Sequence, residues 1–149
     1  MNKNHTILLV EDHPDDEELT RLAFKECRFA NELVVARDGQ EALDYLFAAG
    51  KYSGRDVCEQ PQVVLLDLKL LKVDGLEVLR RIRADERTKF LPVVILTSSM
   101  EEKDLVAGYS LGTNSYIQKP VDFNQFVDAV RQLGLYWMVL NETVVTCCK

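Results

Sequence analysis

The chain has 149 residues, 47% apolar and 28% charged, with a formal net charge of −6. That balance fits one globular domain with a sizeable core and excludes a disordered chain. It also argues against a nucleic-acid partner: beyond Arg80, Arg81 and Arg83 no helix gathers Lys or Arg into a basic face.

The longest apolar runs fall far below membrane-spanning length, so no membrane partner is expected. No charge-flanked apolar stretch opens the chain, so neither is a signal peptide, and the expected location is cytoplasmic. The four cysteines, Cys27, Cys58, Cys147 and Cys148, lack metal-ligand spacing and are expected to be reduced thiols.

In chain order, Thr6–Glu11 predicts a first strand. A helix follows from about Asp15 to Phe29, with Leu19, Leu22, Ala23 and Cys27 at helical spacing and Asp15, Asp16, Glu17 and Glu18 at its positive N-terminus. Leu33–Ala36 predicts a short second strand. Asp38-Gly39 turns the chain into a helix carrying Ala42, Leu43, Leu46 and Phe47 on one face. Residues 48–61 show no apolar period and form a loop longer than the usual helix-to-strand connection. Gln62–Asp67 is the third strand, and Gly75 precedes a helix with Val78, Leu79 and Ile82 facing inward.

Pro92 opens the fourth strand, where it costs no central ladder bond. Ser99 with Glu102 forms a capping box for a fourth helix. Ser115–Gln118 is the fifth strand, and Asp122 with Gln125 caps a last helix whose apolar stripe is Phe123, Phe126, Val127 and Val130. The segment 133–140 is apolar on every face. Continuous apolar strands alternating with helices imply a doubly wound parallel sheet joined by right-handed crossovers.

Three of the apolar runs close on polar groups: Leu8-Leu9-Val10 on Glu11-Asp12, Val63–Leu66 on Asp67, and Val93–Leu96 on Thr97. A fourth, around Ser115–Gln118, closes on Lys119-Pro120. Ligands of such sheets bind at the carboxyl ends of the strands. If the strands are neighbours, three carboxylates, a hydroxyl and an ammonium meet at one edge, a set suited to a divalent cation and a phosphoryl group.

With Glu11-Asp12, Asp67, Thr97, Tyr116 and Lys119-Pro120 in this order at strand ends, the chain resembles a response-regulator receiver domain of two-component signalling, over about residues 5–137. The resemblance implies a flavodoxin-like fold, a five-stranded parallel sheet of order 2-1-3-4-5 with five helices. It implies a receiver domain over 5–134, followed by a C-terminal extension over 135–149. The long loop and the Tyr136-Trp137 ending resemble the stand-alone response regulators of bacterial and cyanobacterial phytochromes.

A sensor histidine kinase, a bacteriophytochrome on that likeness, would phosphorylate Asp67 to a 4-aspartylphosphate. A carboxylate is charged at neutral pH and can attack in line without a base. The same resemblance implies that Asp12 and Asp67 contact magnesium directly, that Glu11 acts largely through water, and that the Lys69 backbone carbonyl is a further ligand. Lys119 would pair with the phosphate and Thr97 would donate its hydroxyl to it. Thr97 and Tyr116 would then switch the face of the fourth helix, fifth strand and fifth helix for protein–protein signalling. Lys69 and Ser99, two positions after Asp67 and Thr97, would tune the phosphate's lifetime. Leu71 stands where many receivers have proline, which predicts a less rigid loop.

No catalytic turnover on a separate substrate is expected beyond self-catalysed phosphorylation and dephosphorylation. A haloacid dehalogenase-like phosphatase is the alternative enzyme, but it wants an acid two positions after the nucleophile, and Lys69 stands there. A phosphate-independent scaffold would have no need to tolerate three clustered carboxylates. Leu135, Tyr136, Trp137, Val139 and Leu140 would be a costly exposed patch on a monomer, so a homodimer through this tail is expected.

Overall fold

The computed structural model describes residues 6–27, 32–68, 70, 72–97, 115–118 and 123–140; the side chains of 97, 115–118 and 133–140 lie outside that description. Its strands are β1 (Thr6–Val10), β2 (Glu32–Ala36), β3 (Val63–Asp67), β4 (Val93–Thr97) and β5 (Ser115–Gln118). They form one sheet of order β2-β1-β3-β4-β5, and every pairing is parallel. This is the expected flavodoxin-like order. The described helices are α1 (Pro14–Glu26), α2 (Gly39–Leu46), α3 (Gly75–Ala84) and α4 (Phe123–Leu140), with a single 3₁₀ turn at Gly50–Tyr52. The capping box at Ser99 and the helix expected after it lie outside the described residues.

The inner strands β1, β3 and β4 are buried on both faces because their runs Ile7–Val10, Val63–Leu66 and Val93–Leu96 are continuously apolar. Leu8, Val10, Val64, Leu66, Val93 and Ile95 point to one side, where Ala42, Leu43 and Leu46 of α2 and Val78, Leu79 and Ile82 of α3 cover them. Ile7, Leu9, Leu65, Val94 and Leu96 point to the other, against Ala23 and Phe24 of α1 and Phe126, Val127 and Val130 of α4. Each buried Leu, Ile or Phe contributes about 1.5–3 kcal/mol of transfer free energy.

Helix ends follow local chemistry. Pro14 sits in the first turn of α1, ahead of Asp15, Asp16 and Glu17. Asp38 caps α2 by accepting from the Glu41 amide at 2.7 Å, and Asp74 caps α3 by accepting from the Glu77 amide at 3.0 Å. The helix expected to reach Phe29 stops at Glu26, where the Cys27 amide donates to Ala23 O at 3.0 Å. At the other end of the chain α4 runs without interruption from Phe123 to Leu140, through the position expected to divide receiver from extension.

The long loop after α2 is organised by polar and aromatic contacts rather than by apolar period. Tyr52 packs edge-on to Tyr45, with ring centroids 5.1 Å apart, and its hydroxyl donates to Glu41 Oε2 at 2.8 Å. The Arg55 guanidinium lies 3.8 Å above the Tyr45 ring. Gln60 Nε2 donates to Leu46 O at 2.9 Å. Cys27 is a free thiol; Cys147 and Cys148 lie outside the described residues.

Burial, and donation to the Glu41 carboxylate, push the Tyr52 hydroxyl up to about 12 from its ordinary 10.0. Its raised value favours the neutral hydroxyl in the folded state. The stabilisation is therefore complete below about pH 10 and lost as pH rises through about 12. Tyr52→Phe should cost about 1 kcal/mol in urea unfolding at pH 8. Its deficit relative to wild type should shrink between pH 10 and 12; a deficit independent of pH in that window would contradict the assignment.

Candidate metal centre

The sheet register brings the acidic residues together. Val10 is level with Leu66 on the neighbouring strand, so Glu11, one residue on, lies level with Asp67. The Glu11 amide donates to Ala36 O at 3.0 Å, which extends the β1–β2 ladder past the end of β1 and holds the chain as it turns toward α1. Glu11 Oε2 in turn accepts from the His13 amide at 3.2 Å.

Glu11, Asp12 and Asp67 each offer a carboxylate oxygen, and these oxygens lie within 4.8 Å of one another. Glu11 and Asp67 are 1% and 5% exposed, and Asp12 is half-buried. Asp12 Oδ1 is fully shielded and has no hydrogen-bond partner. A buried carboxylate oxygen without a partner is costly, and like charges this close repel. A hard divalent cation removes both penalties, since it takes several carboxylate and water oxygens at short range. The donor set therefore fits magnesium or manganese, and gives a soft metal no thiolate or imidazole.

The loop leaving Asp67 is shaped by glycine. The Gly75 amide donates to Leu68 O at 2.9 Å, closing the loop on the start of its own path. A Cβ on Gly75 would sit 2.3 Å from Asp67 O and 2.5 Å from Leu68 Cα, so no other residue fits without moving the acidic strand end. Gly75 was legible only as the residue before a helix, and its pressure on Asp67 was not legible.

Other residues of the expected site are placed only in part. Thr97 ends β4 with its backbone level with Gln118, and Tyr116 lies level with Ile95; their side chains are outside the described residues, as are those of Leu135, Tyr136, Trp137, Val139 and Leu140 in α4. Lys69, Ser99 and Lys119 lie wholly outside them.

Residues 7–131 match the family model of the response regulator receiver domain. The chain is 36% identical over 137 residues to the response regulator Rcp1 of Synechocystis sp., spanning 92% of this chain and 91% of that protein. It is 42% identical to the probable methanogenesis regulatory protein FilR2 of Methanothrix harundinacea, over 92% of this chain and 86% of that one. Among solved structures it resembles the bacteriophytochrome response regulator AtBRR at 55% identity and a TM-score of 0.77, covering 95% of this chain and all of that one. It resembles the Mn(2+)-bound form of Rcp1 at 35% identity and a TM-score of 0.81, covering 95% of this chain and 98% of that one.

Divalent cation should stabilise the wild type by about 1.4 kcal/mol at ten times Kd, a melting-temperature rise of ~4 °C. Asp12→Ala should lose most of that rise. In EDTA it should melt no lower than wild type, because one of three repelling charges is gone. Differential scanning calorimetry with and without magnesium checks both; an undiminished magnesium effect in Asp12→Ala would exclude Asp12 as a ligand.

Proposed function

The chain belongs to the response regulator receiver domain family, and on that premise we propose that Asp67 is its phosphoacceptor and magnesium its cation. Phosphorylation by a kinase is the general mechanism of such regulators, which are not enzymes apart from their own dephosphorylation. The observation that carries the reading is the acidic cluster at the carboxyl edge of the sheet, with Asp12 Oδ1 buried and unpartnered.

Asp67 ends β3, all five of whose residues are buried. A carboxylate oxygen of Asp67 attacks phosphorus, an O–P bond forms, and the bond from phosphorus to the donor's histidine nitrogen breaks. Phosphoryl transfer asks the protein mainly for alignment and charge neutralisation. Alignment comes from the strand end and the closed loop behind it. Glu11, Asp12 and Asp67 would hold the cation, with the Lys69 carbonyl as a further ligand, and bound magnesium supplies the neutralising charge. Lys119 and Thr97 are assigned to the phosphate itself, the first as a point charge and the second as a hydroxyl donor. Thr97 and Tyr116 then report its presence, and Lys69 and Ser99 bound the path of the water that removes it.

We assign the phosphodonor to a bacteriophytochrome-type sensor histidine kinase, on the likeness to AtBRR and Rcp1. A homodimer built from β5 and α4, including the apolar residues Leu135, Tyr136, Trp137, Val139 and Leu140 in the last turns of that helix, is the proposed assembly.

Intact mass after incubation with acetyl phosphate and magnesium should show one added phosphoryl group on wild type and none on Asp67→Asn. Labelling of both proteins would move the acceptor elsewhere. Failure of both to label or to bind beryllofluoride would leave a scaffold. Size-exclusion elution should fall from dimer to monomer when residues 135–149 are removed; monomeric elution of the full chain at micromolar concentration would contradict the assembly.

A further inference from the structure

The β3–α3 loop, residues 68–74, is anchored twice. One anchor is Gly75 at Asp67, already described. The other lies at the tip of the loop, on a different element. Gly39, the first residue of α2, is buried, and a Cβ there would lie 1.7 Å from Val73 O and 2.6 Å from Val73 C. The β2–α2 turn and the loop tip thus touch backbone to backbone. Beside this contact Lys72 Nζ lies 3.5 Å from Asp38 Oδ2, with the lysine side chain 68% and the aspartate side chain 19% exposed. Asp38 is held in place by its other oxygen, which caps α2.

Lys72 also has φ +67°, in the left-handed region that a lysine occupies only when its surroundings impose it. Nothing in its own side chain favours that conformation, whereas the turn it faces supplies both a steric wall and a carboxylate. The strained residue lies in the segment that joins Asp67 to α3.

We propose that Asp38 and Gly39 are positioning residues for the metal centre: through the Lys72 ion pair and the Val73 contact they clamp the β3–α3 loop and so set the affinity for divalent cation. The inference rests on the reading of Glu11, Asp12 and Asp67 as the cation site. It predicts an effect opposite in sign to simple electrostatics. Lys72 is a cation on the connection that leaves Asp67, so deleting its charge should by Coulomb repulsion alone tighten metal binding. Release of the clamp weakens it.

The test is calorimetric titration of magnesium into wild type, Lys72→Met, Asp38→Asn, the double variant and Gly39→Ala, with urea unfolding of each in EDTA. Lys72→Met keeps the Cβ and the left-handed strain and removes only the charge. It should bind magnesium about threefold more weakly, the size of an exposed ion pair. The double variant should be no weaker than Asp38→Asn alone, since both changes break one pair. Gly39→Ala should lose affinity further; if it fails to fold, the charge variants still decide. Lys72→Met binding magnesium as tightly as wild type or more tightly overturns the clamp. Reduced stability in EDTA with unchanged affinity does so too, because it marks a structural role alone. Wild type that binds no magnesium overturns the metal reading itself, an outcome distinct from wild type and variants binding alike.

Discussion

Negative charge at the edge of a buried sheet is the constraint on which the rest of this molecule depends. Two of the three carboxylates are almost entirely shielded from water, and the third has one oxygen with no partner. Three such charges cannot stabilise one another. They persist because the apolar runs beneath them, Ile7–Val10, Val63–Leu66 and Val93–Leu96, are buried between two layers of helices, and that burial stabilises the fold. The instability is thereby confined to the place where a cation and a phosphoryl group can relieve it.

Rigid placement of that edge comes from the parallel register. Since Val10 is level with Leu66, and Asp67 with Leu96, the carboxyl ends of β1, β3 and β4 lie at nearly one height. A slip of one residue in β1 would carry Glu11 out of level with Asp67 and exchange the residues that the strand gives to the two layers. Specification of the fold and specification of the site are therefore the same act, because both rest on which side of the sheet each alternate residue takes.

Around the site the connections are tighter than their composition suggests. Gly75 against Asp67 O and Gly39 against Val73 O are approaches that no Cβ permits. Neither glycine has the positive φ that is the usual reason for one, whereas Lys72 has it without being glycine. The loop after the acidic strand thus gets its shape from backbone contacts to its neighbours. The long loop is bound down along α2 by Tyr52, Arg55 and Gln60.

The sequence by itself determined the layers, the strand order through its family likeness, and the acidic set. Each is written in local pattern: continuous apolar runs, helical periods and the polar residue that ends each run. Element ends were legible to within a few residues, missing where α1 stops because apolar Cys27 and Phe29 continue the helical period past its last turn. The unpartnered oxygen of Asp12, the pressure of Gly75 on Asp67 and the meeting of Asp38-Gly39 with Lys72-Val73 were not legible. Each of these is a relation in space, between segments separated along the chain or across a tight turn. Its sign and size depend on ångström distances that only the packed sheet and its helices decide, because a sequence pattern states which face a residue takes and not what it meets there.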